Sequence, residues 1–502
     1  MPSPATLPSA LRSWSDASPG RVALRDGDDA LTYAELAAAV DDLARRLAHA
    51  GVAPADRVAL VAENRAEWVL AFLACLRLGA VVVPMNVRLG PAELGRQLAV
   101  ARPRLALVSE AFEDLLARAA PTVERRRLER DAGDAIWREP ALAGGIAPPA
   151  AAAPGLISFT SGTTGRPKGA VIAQGALATS AAIYGRLLGT TPDTSTLVLV
   201  PLFHNTGFLD QLSQMLVVGG CVDLLRRFGV QAALDALARR PAGYLMGVPS
   251  MFRLMMLDAR AGAAFEACRI LAYGGAPMPP AWIEELHVRW PGLRPFNIYG
   301  LTEFTSLSHA LEPADAIVRA TTVGRPVEQV RQRIVGDDGD DAAPGAPGEV
   351  WLAGPTRMLR YLDDEAATAD VFRGPWLRTG DLGAVDDDGF LTLHGRIAEV
   401  IVRGGEKIHA SQVESELGAL DSVAEAAVVG VPDEILHERV VAAVVERPGR
   451  RFEPEQVRAD LRARIADYAV PDRFLVVDEL PRNANGKIDR AQVRAAFAET
   501  PA

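Results

Sequence analysis

The sequence predicts a multi-domain α/β protein: a large N-terminal domain of parallel βαβ layers with a β-rich subdomain, then a small C-terminal α+β domain. Three observations carry this reading. Short β-branched runs alternate with helical patterns through the first half, the spacing of parallel crossover units rather than hairpins. Beyond about Gly324 the texture turns to short strands punctuated by turns, and from about Glu399 strands and helices alternate again over roughly 100 residues, the size of one small domain. The 502 residues exceed what one hydrophobic core serves, so at least two domains are expected.

The elements follow in order. Residues 57–61, Arg-Val-Ala-Leu-Val, read as a buried strand. Residues 66–78 read as an amphipathic helix ended by Gly79, and 80–84 as the next strand. The Ala/Pro/Gly-rich stretch 141–154 looks like a surface connector. Residues 156–160 form the strand that feeds a glycine-rich loop, and 348–354 and 389–394 are short strands of the β-rich subdomain. A boundary is expected at 396–398, giving domains 1–395 and 399–502 about a hinge. No fixed-period repeat is visible.

Composition narrows the function. Hydrophobic residues make up 49% and charged residues 23%, the balance of an ordinary soluble globular chain. The formal charge of −10 argues against a nucleic-acid partner, which calls for a basic face. Cys75, Cys221 and Cys268 are odd in number and far apart, with neither metal spacing nor a disulfide framework, which suits a reducing cytoplasm. Met1-Pro-Ser-Pro-Ala carries no secretory pattern. The most apolar stretch, 197–222, is interrupted by His204, Asn205 and Asp210, so it reads as buried strand and helix and no transmembrane segment is expected. Oligomeric state is left open between monomer and homodimer.

Among 53 basic residues only Lys168, Lys407 and Lys487 are lysines. Against an arginine background these point-charge ammoniums are informative, since Lys reaches one oxygen where Arg presents a planar fork. Two lie in glycine-bearing loops, Ser161-Gly-Thr-Thr-Gly-Arg-Pro-Lys168 and Asn485-Gly-Lys487, and Lys407 follows the pair Gly404-Gly405. In Thr160-Ser161-Gly162-Thr163-Thr164-Gly165-Arg-Pro-Lys168-Gly, glycines let backbone N–H groups approach an anion while hydroxyls and one ammonium add donors, so polyphosphate binding is the natural inference. It is not a Walker A loop, because Lys168 follows a proline.

That loop resembles the phosphate loop of the AMP-binding, adenylate-forming superfamily, which includes acyl-CoA synthetases. Further strings follow in the family's order: Leu202-Phe-His204, Tyr273-Gly-Gly-Ala-Pro277, Tyr299-Gly-Leu-Thr-Glu303, Gly348-Glu-Val350, Leu377-Arg-Thr-Gly-Asp381, Gly395-Arg396, Gly404-Gly405 and Asn485-Gly-Lys487. The resemblance spans almost the whole chain. It implies an ATP-dependent carboxylate–CoA ligase that adenylates an acid, releases pyrophosphate and then transfers the acyl group to CoA, with ATP, Mg²⁺ and CoA required. A stand-alone adenylating enzyme serving a carrier protein, an amine or another acceptor is the alternative.

Carried over residue by residue, the resemblance implies the following roles. Thr160 to Gly165 and Lys168 take the phosphates. Asp381 grips both ribose hydroxyls, a pairing that suits an acceptor-only carboxylate and a diol. Arg396 also touches the ribose, with a structural salt bridge as its competitor. Tyr299 stacks on adenine, Gly274, Gly275 and Ala276 form the thin wall beside it, and Asn297 and Gly300 belong to the same ATP site. Thr302 and Glu303 match the pair at the α-phosphate and Mg²⁺, an ion commonly held by one carboxylate plus substrate phosphates. His204 orients the substrate carboxylate, unless it is a core histidine. Lys487 neutralises charge building on the α-phosphate. After adenylation the C-terminal domain rotates, withdrawing Lys487 and presenting Gly404 and Gly405 to pantetheine, with Arg403 and Lys407 either meeting CoA phosphates or forming an exposed basic pair. One departure is Ala398, where the family usually has Asp or Lys at the hinge. By analogy the acyl pocket is lined from 203–207, 247–249, 274–277 and 306–309, mostly small or apolar and without Arg or Lys, so a monocarboxylic fatty or aryl acid is expected.

Overall fold

The computed structural model of the chain describes residues 4–160, 167–403, 406–433, 435–462, 464–483 and 486–499, the side chains at 398, 407, 498 and 499 excepted. The chain divides into two compact units, one of residues 1–332 and 352–377, the other of 333–351 and 378–502. The hinge expected at 396–398 lies inside the second unit.

Two sheets build the first unit among the described residues. In the nine-stranded sheet Arg294–Tyr299, Ile270–Gly274, Tyr244–Gly247, Ser195–Val198, Cys221–Leu224 and Val22–Asp26 run parallel in that spatial order. Antiparallel strands His309–Leu311 and Asp29–Thr32 flank this core. The seven-stranded sheet places Pro154–Thr160, Val81–Pro84, Arg57–Val61, Leu105–Val108 and Arg125–Arg127 in parallel. Its other edge is antiparallel, Pro154–Thr160 beside Lys168–Ala173 beside Arg360–Tyr361. Strands such as Val81–Pro84 are buried throughout, the pattern of parallel strands covered on both faces.

The helix expected over 66–78 is observed at Ala66–Leu78, capped by Gly79 in the left-handed region at φ 82°. It is not amphipathic, however. Trp68 to Leu76 are all buried, so the helix is packed all round rather than on one stripe. The apolar stretch 197–222 becomes strand Ser195–Val198, the π-helical turn Phe208–Ser213, helix Gln214–Val218 and strand Cys221–Leu224. Among the described residues no helix is long and apolar enough to cross a membrane.

In a five-stranded sheet Gly348–Ala353 lies between Arg331–Val335 and Trp376–Val385, and the last also pairs with Leu391–Arg396. A further sheet carries Glu406–His409, Val400–Arg403, His437–Glu446 and Val423–Asp433 in order, with Arg473–Val476 parallel to His437–Glu446. Strand alternation feeds two cores here. Val428, Val440 and Val444 pack with Val413, Leu417 and Leu461 from helices Ala410–Gly418 and Pro454–Arg462. Ala427, Val429 and Val441 pack with Val493 and Phe497 of the last helix, Arg490–Glu499. That second core fixes the helix that begins three residues after Lys487.

Candidate active site

In the first unit the strand pair Pro154–Thr160 and Lys168–Ala173 is in register Thr160↔Lys168, so both ends of the glycine-rich loop emerge side by side. Residues 161–165 lie outside the described residues. The strand Arg360–Tyr361 adds to the same edge, pairing Tyr361 with Ala170. This pairing puts the Lys168 ammonium over the Tyr361 ring, 5.4 Å from its centroid. The Tyr361 hydroxyl donates to Glu303 Oε1 at 2.8 Å, and the Met358 amide donates to the Glu303 carbonyl at 2.8 Å. Lys168 and Glu303, 135 positions apart in sequence (303 minus 168), are therefore joined through one phenol. Nothing in the sequence reading singled out Tyr361.

The Tyr299–Glu303 segment is the turn that presents Glu303. Strand Arg294–Tyr299 ends at Gly300, where a Cβ would lie 1.2 Å from the Ser306 carbonyl oxygen. Only glycine permits that crossing of backbones. Thr302–Phe304 then forms a short 3₁₀ turn, and Thr305 and Ser306 take left-handed backbone at φ 52° and 73°. The Thr305 hydroxyl donates to the Thr356 carbonyl, and the Ser180 hydroxyl donates to the Thr305 carbonyl at 2.8 Å, fixing this uncommon conformation from both sides. Gly274 faces the Ile298 carbonyl, 2.6 Å from where its Cβ would be, and Gly275 has φ 77°, so the two leave no side chain beside Tyr299 on the neighbouring strand. Ala276 is exposed just beyond them. Asn297 is buried and its amide donates to the Thr322 carbonyl at 3.2 Å, which commits that donor within the fold.

His204 precedes the short helix Asn205–Gly207, with the Phe203 ring 4.5 Å from its own. The Ser158 hydroxyl donates to Asn205 Oδ1 at 3.2 Å, tying the His204 segment to the strand that leads into the glycine-rich loop. A second tie runs to the Glu303 turn, where the Ser306 hydroxyl donates to Asp210 Oδ2 at 3.0 Å. The Tyr244 hydroxyl donates to the Asp210 carbonyl at 3.0 Å. Asp210 sits in the π-helical turn, is 1% exposed, and its Oδ1 has no hydrogen-bond partner. Burial raises its pKa to about 7, while Ser306 and the nearby Tyr184 phenol oppose the shift. The native state therefore binds a proton between the unfolded value and about 7, and stability falls as pH rises across that window. Asp210→Asn is expected to unfold at higher temperature than the parent, an advantage that grows between about pH 4 and pH 7 and is flat above, read by thermal melts across pH.

His309, at the strand paired with Tyr299, is buried with its ring 5.5 Å from the tyrosine. Its Nε2–H donates to Gln332 Oε1 at 2.7 Å, and burial lowers its pKa to about 4, so it supplies no cation near neutrality.

In the second unit Asp381 and Arg396 are register partners, with Arg396 Nε 2.6 Å from Asp381 Oδ1. The Asp381 amide donates to the Thr379 hydroxyl oxygen at 3.0 Å, and that hydroxyl donates to the Val350 carbonyl at 2.7 Å. Gly380, at φ 71°, makes the bend and donates its amide to Glu349 Oε1 at 3.2 Å. The two sequence-predicted ribose ligands are thus adjacent, and the Asp381 side chain is only 9% exposed.

Of the expected CoA ligands, Gly404 and Gly405 and the Lys407 side chain lie outside the described residues. Arg403 donates to Asp472 Oδ1 and to the Tyr468 carbonyl, each at 2.8 Å, so its guanidinium is engaged inside the fold. Lys487 lies exposed on a tight turn where its amide donates to Asn483 Oδ1 at 3.1 Å and its carbonyl accepts from the Asn483 amide at 2.8 Å. The three cysteines are unbridged, and burial pushes the Cys75 and Cys268 thiols up to about 12 and Cys221 to about 11, which removes them as nucleophiles. Among the described residues no group of three or more His, Cys, Asp or Glu could hold a metal by itself. Glu303 would suit the mode in which one carboxylate holds Mg²⁺ together with substrate phosphates.

The chain as a whole is similar to known proteins. The chain is 37% identical to indoleacetate–CoA ligase of Aromatoleum aromaticum over 97% of its own length and 98% of that protein. It is 35% identical to feruloyl-CoA synthase of an Amycolatopsis species, covering 97% of this chain and 99% of that one. The fold matches O-succinylbenzoate coenzyme A synthetase of Bacillus subtilis, solved in complex with ATP and magnesium ion, with a TM-score of 0.86 at 31% identity over 96% of this chain and 98% of that one. Family models for the AMP-binding enzyme and its C-terminal domain match residues 11–362 and 412–487. With those matches and the Lys168–Tyr361–Glu303 and Asp381–Arg396 constellations together, the chain belongs to the AMP-binding enzyme family.

Proposed function

We propose that the chain is an ATP-dependent carboxylate–CoA ligase acting on an aromatic monocarboxylic acid through an acyl-adenylate. The observation that carries this reading is the chain Lys168–Tyr361–Glu303 at the mouth of the strand–loop–strand pair, an ammonium and a carboxylate held by one phenol. Lys168 and the 160–165 loop bind the β- and γ-phosphates. Asp381, oriented by Arg396, accepts from the ribose hydroxyls, and Tyr299 stacks on the adenine. Glu303 would hold Mg²⁺, which when bound supplies neutralisation of phosphate charge, and Thr302 binds the α-phosphate. In the first half-reaction a substrate carboxylate oxygen attacks the α-phosphorus and pyrophosphate leaves, and the Lys487 ammonium offsets charge developing on the phosphoryl oxygens. In the second, the CoA thiolate attacks the acyl carbon and AMP leaves, with residues 399–502 turning about 396–398 so that 403–407 face CoA. Arg403 acts there by shaping the strand rather than as a free cation, given its bond to Asp472.

An aromatic acid fits the names of the two relatives given above and the absence of any Arg or Lys in segments 203–207, 247–249, 274–277 and 306–309. Three unbridged cysteines suit a reducing cytoplasm. The test is a pyrophosphate-release screen over indole-3-acetate, ferulate, benzoate and hexanoate, with and without CoA. CoA-dependent turnover of an aromatic acid is expected. Turnover that ignores CoA and stops at free acyl-adenylate would transfer the reading to another acceptor, and preference for hexanoate would overturn the substrate class.

Tyr361→Phe isolates the bridging hydroxyl, since the ring over Lys168 remains. Adenylation is expected to fall by about tenfold and the Mg²⁺ concentration for half-maximal rate to rise, the usual scale for losing a hydrogen bond behind a metal ligand. Magnesium titrations of pyrophosphate release check it.

A further inference from the structure

Lys487 stands three residues before Arg490, the first residue of the last helix. The turn between them is well held. Arg482 donates to both oxygens of Glu425 at 2.9 and 2.8 Å and to the Gly486 carbonyl at 3.1 Å. The Asp489 amide donates to the Pro481 carbonyl at 2.7 Å, and the Asp489 carboxylate accepts from the amides of Ala491 and Gln492 at 3.1 Å.

Arg490 itself reaches three separate parts of the unit. Its two terminal nitrogens fork onto Glu414 of helix Ala410–Gly418, Nη2 at 2.9 Å from Oε2. Nη1 also donates to the Val428 carbonyl at 2.8 Å. Its remaining nitrogen, Nε, lies 3.3 Å from Glu399 Oε1. Glu399 closes the 3₁₀ turn Ile397–Glu399, whose preceding residue is Arg396, the partner of Asp381. A continuous path of ion pairs and one short turn therefore runs from the ribose-gripping carboxylate, through the expected hinge, to the base of the Lys487 turn. Sequence separation between Glu399 and Arg490 is 91 positions, so chain connectivity alone would not move them together.

We infer that Arg490 is a positioning residue for adenylation: clamped to Glu399 and Glu414, it makes the Lys487 turn travel with the exit of the hinge. The inference rests on the role given to Lys487 above. The Glu414 fork and Val428 bond anchor the helix, whereas the Glu399 arm transmits the hinge angle. Arg is required because a lysine ammonium cannot fork onto one carboxylate and hold another beside it. Residues so placed act at a distance, and a shift of the order of 1 Å in a reacting group costs up to about 10²-fold.

The experiment measures the half-reactions separately in the full-length enzyme. Pyrophosphate exchange with the best acid of the screen reads adenylation, and thioester formation from the matching synthetic acyl-adenylate plus CoA bypasses it. Glu399→Gln takes the charge from the hinge arm and leaves at most a neutral hydrogen bond to Nε, while the Glu414 fork keeps the helix in place. It is expected to lower exchange by about five- to tenfold, with thioester formation from acyl-adenylate and the thermal midpoint unchanged. Arg490→Lys should show the same bias more strongly. Equal losses in both half-reactions, or no loss in exchange for Glu399→Gln, would overturn the inference. If Arg490→Lys fails to fold, Glu399→Gln decides alone. Lys487→Ala runs beside them: normal exchange in that variant removes the Lys487 role itself, a failure distinct from the two just named.

Discussion

Replacing Lys487 with alanine is expected to slow acyl-adenylate formation by about 10²–10³-fold, the scale of removing one charge aimed at a phosphoryl transition state. The loss should appear in the rate of exchange at saturating ATP rather than in ATP affinity, because the contact strengthens only as charge develops. Folding should be untouched. Lys487 is exposed, and its backbone amide and carbonyl, both kept by alanine, make hydrogen bonds that shape its turn. Thioester formation from supplied acyl-adenylate should proceed near the parent rate. Pyrophosphate exchange and single-turnover thioester assays on the same preparation measure both arms.

Glu303→Gln carries the next largest expected effect. The amide keeps an oxygen to accept from Tyr361 and leaves the Met358–Glu303 backbone bond intact, so the turn should hold. What disappears is the negative charge proposed above to hold Mg²⁺. Adenylation should drop by at least about 10²-fold, and excess Mg²⁺ should restore only part of it. The pair Glu303→Gln and Tyr361→Phe is informative together. If the phenol acts through the carboxylate, the double variant should be no worse than Glu303→Gln alone, whereas independent losses would multiply. Exchange rates across a magnesium series for the two single variants and the double variant supply the comparison.

How far the sequence reached depended on the scale of the feature. Local signals were sufficient for the strand 156–160 that leads into the glycine-rich loop and for the helix ended by Gly79, because glycine, proline and β-branched residues act on their near neighbours. Pairings over long separations were invisible. Tyr361 lies in a two-residue strand whose place beside Ala170 is set by tertiary packing, so the bridge from Lys168 to Glu303 left no local mark. Asp210 looked like a polar interruption in an apolar run. In the fold it is a buried carboxyl on a π-helical turn, tied through Ser306 to the turn that carries Glu303. Gly300 was read through its resemblance to an ATP ligand, while the fold gives it a second reason, the passage of the Ser306 carbonyl. For Arg403 the sequence leaves open a cation for CoA phosphates or an exposed basic pair, and in the fold Asp472, far away in sequence, engages its guanidinium. The first helix reading erred in periodicity: a helix buried between layers needs no polar face, and only Ala66, Glu67 and Arg77 are less than fully covered.

The most direct measurement follows oxygen. An aromatic acid labelled with ¹⁸O in its carboxylate is turned over with ATP and CoA, and the products are weighed by mass spectrometry. Attack of the carboxylate on the α-phosphorus, followed by thiolate attack on the acyl carbon, leaves one labelled oxygen in AMP and none in pyrophosphate. Label in inorganic phosphate or pyrophosphate, or unlabelled AMP beside formed thioester, would contradict passage through an acyl-adenylate.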